Sequence, residues 1–311
     1  MRLLATPLAV LAALVAAGCG LGAGETPTDT KLIVTEDFGT KVQIDTDAPK
    51  LSGEDTVMRM LERNADVEKR FGGKFVQSID GIAGGERDGR PVDWLYYVNG
   101  KQADEGASSV KVHDGDSVWW DNHPWETTTA EAVVGQFPEP FVHGPESKRL
   151  PVRIECADPQ GSACRTVQDR LVDAGVPASR SRLAAQLEKD TLRIVVGPYQ
   201  RVRGDRAVQA LDDGPQTSGV FVKPDAAGTR FALLDTDGKT RRTLGAGGGL
   251  VAAIQPQTDD EAEKLLPVWV VTGIDDAGVA AAASALDEGT LGRKFALGIG
   301  SDGRGISLPV R

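Results

Sequence analysis

D-W-L-Y-Y-V-N-G-K, residues 93–101, and V-K-V-H-D-G-D-S-V-W-W-D-N, residues 110–122, are the stretches on which the fold turns. They hold Trp94, Tyr96, Tyr97, Trp119 and Trp120 in a chain that is only 5% aromatic, so this region is either a core or a binding face. Asn99-Gly100 and Asp114-Gly115 each sit between β-forming runs. Asn or Asp followed by Gly tolerates the positive φ angles of a tight hairpin turn, so the pattern predicts two aromatic hairpins. Strand alternation places Trp94, Tyr96 and Val98 on one face and Leu95, Tyr97 and Asn99 on the other; Val118 and Trp120 likewise oppose Trp119 and Asp121. The first set is assigned to the core. Tyr97 and one of the two tryptophans are then left as an exposed platform, and the five aromatics are the candidate ligand-binding residues.

Working outward, the residues before this stretch supply a helix and more strands. Residues 31–35 and 41–45 read as strands joined at Asp37-Phe38-Gly39. Ser52 with Asp55 suggests a capping box, and Val57, Met60, Leu61 and Val67 can share one face of a helix reaching Arg70, ended by Gly72-Gly73. A strand over 74–79 and a Gly-rich loop over 81–89 lead into the aromatic hairpins. Two strands, one helix, then several strands is the order of a β-grasp sheet curled around a single helix, here over residues 31–126. The runs I-D-G-I (79–82), D-W-L-Y-Y-V-N-G-K (93–101), E-G-A-S (105–108) and V-H-D-G-D-S-V-W-W (112–120) resemble the bacterial domains related to the C-terminal β-domain of transcobalamin and intrinsic factor. That resemblance implies a β-grasp fold and capture of a soluble ligand, with a corrinoid-like molecule as one candidate.

The chain starts with an apolar segment that has the layout of a secretory signal over residues 1–18, and it is too short for a comfortable membrane span. The small residues before Cys19 resemble a bacterial lipobox, in which that cysteine becomes the first residue and carries a diacylglycerol. Residues 19–30 would form a flexible lipidated tether, so the expected location is extracytoplasmic, on a membrane surface. Removing residues 1–18 takes away only Arg2, which moves the formal net charge from −10 to −11. An acidic balance argues against nucleic acid, because phosphate binding needs clustered cations. Cys156 and Cys164 then remain as an even pair in an exported chain, most simply a disulfide.

Residues 127–150, rich in proline, read as a linker. Beyond it, strand and helix patterns alternate in two blocks, residues 151–224 and 225–311, read as ferredoxin-like α/β modules, so that the whole chain is α+β. R-I-V-V-G-P-Y (193–199), A-V-Q-A-L (207–211) and S-G-V-F-V (218–222) resemble part of a sporulation-related repeat domain, which implies contact with cell-wall glycan. A helix is expected over 259–266.

Motifs for chemistry are sparse. Gly238-Lys239-Thr240 lacks the preceding glycine of a phosphate loop, and residues 245–249 lead into a strand instead of a helix. No nucleophile elbow, H-E-x-x-H pair or Cys-His arrangement occurs. His113 and His123 make no metal spacing and are expected to be solvated, His143 has no evident acid partner, and Asp114 with Asp116 lack the further oxygens calcium needs. No metal or cofactor is implied. The sequence therefore points to a lipid-anchored, non-enzymatic binding protein. A structural protein of the cell envelope and an extracytoplasmic hydrolase are the alternatives, since a glycosidase needs only two carboxylates at the right separation.

Overall fold

A computed structural model describes residues 25–73, 75–126, 128, 130–183, 190–258 and 265–311. The signal segment, Cys19 and most of the helix expected over 259–266 lie outside the described residues.

The first half is a mixed sheet packed on one helix. Strands β1 (Lys31–Glu36) and β2 (Lys41–Thr46) form a hairpin, followed by α1 (Val57–Asn64). Next come β3 (Val67–Arg70), β4 (Phe75–Ile79), β5 (Ile82–Ala83), β6 (Gly85–Arg87), β7 (Arg90–Val98), β8 (Lys101–Gln102) and β9 (Ser117–Pro124). The sheet order is β2-β1-β9-β7-β6, with β1 and β9 side by side and parallel. First and last strands paired at the centre are the β-grasp arrangement expected from the element order. The Asn99-Gly100 hairpin forms, joining Val98 to Lys101.

The second expected hairpin does not form. The segment before Asp114-Gly115 serves the helix instead: Val57 N donates to Val110 O, Val112 N donates to Asp55 O, and Val112 is buried against α1. The helix also stops earlier than expected. Its N-cap is Thr56, whose hydroxyl accepts from Arg59 N, and Ala65 at the C-cap is already extended. Val67 therefore lies on a strand, and β3 pairs with β4 across a turn where Gly72 and Gly73 take positive φ. The expected capping box survives as a turn before the helix, with Ser52 N donating to Asp55.

The second half is one seven-stranded sheet. Its strands are β10 (Val152–Cys156), β11 (Ala178–Arg182), β12 (Leu192–Pro198), β16 (Gly249–Ile254), β17 (Val268–Gly273), β18 (Ala296–Ile299) and β19 (Gly305–Leu308). Between β12 and β16 come α3 (Tyr199–Val202), α4 (Arg206–Asp213), α5 (Pro215–Ser218) and a small sheet of β13 (Val222–Pro224), β14 (Phe231–Leu234) and β15 (Thr240–Leu244). Helix α2 (Ser162–Asp173) precedes β11, and α6 (Asp276–Ser284) and α7 (Glu288–Leu291) precede β18. The sheet order is β11-β10-β12-β17-β16-β18-β19, and β11, β10, β12 and β17 run parallel.

The two expected ferredoxin-like modules are thus corrected. Their strands share one sheet because β12 and β17 are apolar throughout and pair along their whole length, each burying an edge that a separate module would leave open. The Cys156–Cys164 disulfide is present, linking the end of β10 to α2. The protein is α+β.

The proline-rich segment is not an extended linker. Val133, Val134, Phe137 and Phe141 are buried, and Phe137 and Phe141 pack on Trp269 beneath the large sheet. Arg293 N donates to Gly135 O, and Val134 N donates to Phe295 O. The two halves meet so closely at Gly39 that a Cβ there would lie 1.9 Å from Arg293 O, and its φ of +80° also favours glycine.

Candidate functional site: the cleft between the halves

The five aromatics named from the sequence are all buried. Trp94, Tyr96 and Trp120 face α1, with Tyr96 and Trp120 stacked at 4.8 Å, the Trp94 indole donating to Ile82 O and the Tyr96 hydroxyl to Glu105 O. Tyr97 and Trp119, expected to offer an exposed platform, are 0% exposed. Their face of the sheet is covered by the second half, where Phe295 packs edge-on against both rings. The region carries more aromatics than one sheet face can bury because both faces are buried.

The same face holds a polar network. Asp121 accepts from Thr35 Oγ1 at 2.5 Å, Phe38 N at 2.9 Å and Gly39 N at 2.8 Å, and it lies 2.7 Å from His123 Nδ1. Thr35 Oγ1 in turn accepts from the Trp119 indole at 2.7 Å. His123 was expected to be solvated; it is fully buried between Phe38 and Phe295. A carboxylate acceptor places its ring proton on Nδ1. These residues hold the β1–β2 turn in the shape that docks against Arg293.

A concavity lies beside this junction. It is a cleft of about 680 Å³, walled by the start of β1, the end of β2, the segment 135–143 and the α7 region. Asp29, Asp45, Asp47, Glu139 and Glu288 line it together with Lys31, Arg293 and His143. Five carboxylates against two fixed cations leave a formal surplus of three negative charges. Lys31 lies 3.1 Å from Asp47 and 3.7 Å from Asp45, and Arg293 also pairs with Asp45.

Glu139 sits at the floor, only 4% exposed, and accepts from His143 N at 3.0 Å, with His143 Nδ1 at 2.5 Å. Burial raises its carboxyl above the ordinary carboxylate value, against the opposing hydrogen bonds from His143. His143 thus has an acid partner after all. The missed signal was the spacing of four residues in E-P-F-V-H, which a tight turn closes. The imidazole packs against the Asp114-Gly115 turn, where a Cβ on Gly115 would meet His143 Nε2 at 2.2 Å.

The floor is pinned from behind. The Gln136 amide donates to Ser117 O and Oγ and accepts from Gly100 N. Asp116 accepts from Asn99 Nδ2 and Ser147 Oγ, so Asn99 is both a turn former and a tie to the proline-rich segment. Among the described residues, no group of three or more His, Cys, Asp or Glu is placed to hold a metal ion.

Residues 54–124 match the model of a family described as a domain of unknown function (DUF4430). A solved structure from Ruminococcus gnavus, described as a proposed metal binding protein, is 23% identical to the chain and covers 31% of it and 97% of its own length. Its TM-score of 0.23 is too low for that likeness to carry a ligand assignment. No curated protein matches the chain.

Proposed function

We propose that the chain is an extracytoplasmic, lipid-anchored binding protein that captures a small cationic or zwitterionic molecule in the cleft between its halves. The observation that carries this reading is the cleft itself, of about 680 Å³, with its surplus of carboxylates over cations. Its size is in the range of small-molecule sites, and its walls come from two packed halves and a pinned segment, so little ordering is needed on binding. The anchor rests on the lipobox-like run ending at Cys19. The likeness to transcobalamin supports ligand capture, but the aromatics that suggested a flat corrinoid platform are buried. The reading is binding without catalysis: Glu139 and His143 are hydrogen-bonded to each other, and Ser117 Oγ accepts from Gln136. A glycan groove on the R-I-V-V-G-P-Y run has no support in the fold, since that run is the interior strand β12.

Calorimetric titration of the chain from Gly20 onward with spermidine, L-arginine and cobalamin tests the proposal. Saturable heat is expected with an amine. Loss of a carboxylate by Asp47→Asn or Glu288→Gln should weaken it about fivefold each, the scale of one charge pair near a wet surface. Absence of heat with every probe, or amine binding indifferent to both substitutions, would remove the cleft as the site. Saturable binding of cobalamin alone would replace the amine with the corrinoid.

A further inference from the structure

The β3–β4 hairpin ends in a tip that the fold does not cover. Phe71 is 76% exposed and Phe75 is 62% exposed, the two most exposed large apolar side chains among the described residues. Their rings pack edge-on against each other at 5.8 Å, forming one apolar knob. The sequence around them, K-R-F-G-G-K-F over 69–75, has three cations and no acid, in a chain of net charge −10. Lys74 lies outside the described residues; Lys69 and Arg70 end β3 beneath the knob, with Lys69 paired to Glu62 of α1.

The knob lies at the end of the first half from which the N-terminal tether leaves. Gly72 and Gly73 line a shallow groove together with Glu54, Thr56, Arg59 and Lys111 at the start of α1. Next to Glu54, Gly53 N donates to Thr26 Oγ1, within two residues of the start of the described chain. Only six residues separate Cys19 from Thr26, and a chain spans at most about 3.5 Å per residue. A lipid on Cys19 would therefore hold this end of the protein within about 25 Å of the bilayer surface.

We propose that the Phe71–Phe75 knob inserts into the interfacial layer of an anionic lipid bilayer, as a second contact beside the lipid on Cys19. Exposed phenylalanines gain by leaving water for the headgroup boundary, and adjacent Lys and Arg gain from anionic headgroups. A diacyl anchor on a flexible tether fixes the distance to the membrane but not the face turned toward it, and a second contact sets that face. The chain's net charge of −10 disfavours general adhesion to such a membrane, so contact depends on the knob. The biological setting rests on the anchored reading above; the contact itself does not.

The test therefore omits the acyl chains. The chain from Gly20 onward, which keeps every described residue, is sedimented with vesicles of phosphatidylglycerol mixed with phosphatidylcholine, and with vesicles of phosphatidylcholine alone. Binding is expected on the anionic vesicles, weaker at higher salt. The pair Phe71→Ser and Phe75→Ser should lower it more than tenfold with no change in melting temperature. Arg70→Gln should lower it about fivefold, and Lys69→Gln less, because Lys69 is already paired with Glu62. Failure of the parent chain to sediment, or undiminished sedimentation of the double Phe variant, overturns the knob. Release of the Cys19→Ala full chain from cell membranes is measured separately and bears only on the acyl anchor.

Discussion

Phe295 is the residue whose removal best tests whether the two halves form one cooperative structure. It is 3% exposed, at the foot of β18, and its ring meets Phe38 and Trp119 at 5.0 Å, His123 at 5.1 Å and Tyr97 at 5.6 Å, all four in the first half. A buried Phe→Ala change costs about 3–5 kcal/mol, and edge-on aromatic pairs are worth about 0.5–1.5 kcal/mol each beyond their buried area. With four such pairs lost at once, Phe295→Ala should cost about 4–5 kcal/mol, a large share of the about 5–15 kcal/mol that holds a typical protein folded. Urea unfolding followed by tryptophan fluorescence gives the energy, with Trp94, Trp119, Trp120 and Trp125 reporting on one half and Trp269 on the other. Amide hydrogen exchange gives its distribution. Peptides from β9 and β17 should lose protection together, although the substitution lies on neither strand. A cost below about 1 kcal/mol, or loss of protection confined to the second half, would show that the halves fold independently and that the shared core contributes little.

Two further outcomes follow from the junction. The Tyr97 hydroxyl is buried with no hydrogen-bond partner, and burial drives its ionisation well above the ordinary range for tyrosine, so Tyr97→Phe should be neutral or stabilising by about 1–2 kcal/mol in urea unfolding; clear destabilisation would reveal a bound partner at that oxygen. Partial burial opposes ionisation of Asp37, but its bonds and charges from Lys41, Arg87 and Arg311 outweigh this and hold its carboxyl below the ordinary 3.8. A depressed carboxyl contributes stability that is complete above its unfolded value and lost as pH falls through its folded one, so melting temperature should decline below about pH 4, with a shallower decline in Asp37→Asn. An equally steep acid limb in that variant would exclude Asp37 as a contributor.

Much of the fold could be read locally. The Asn99-Gly100 turn, the alternation along β7 and β9 and the apolar runs of β12 and β17 each follow from neighbours within a few residues, because turn chemistry and strand period are local properties. The capping pattern before α1 was equally visible, yet the helix length was not, since Val67 suits a helix face by spacing and a strand by pairing with β4. His143 and Glu139 were both in view without being recognised as partners.

The sequence by itself determined that Trp94, Tyr96, Tyr97, Trp119 and Trp120 lie on two faces of one sheet, that the strands around them form a β-grasp order, and that Cys156 pairs with Cys164. Tertiary structure alone decided that both sheet faces are buried, that residues 130–150 are packed and not extended, and that a charged cleft opens between the halves. The reason is physical. Strand period sets which side chains share a face, but whether a face meets water depends on contacts with residues nearly two hundred positions away, such as Phe295 on Trp119, and those leave no local periodicity to read.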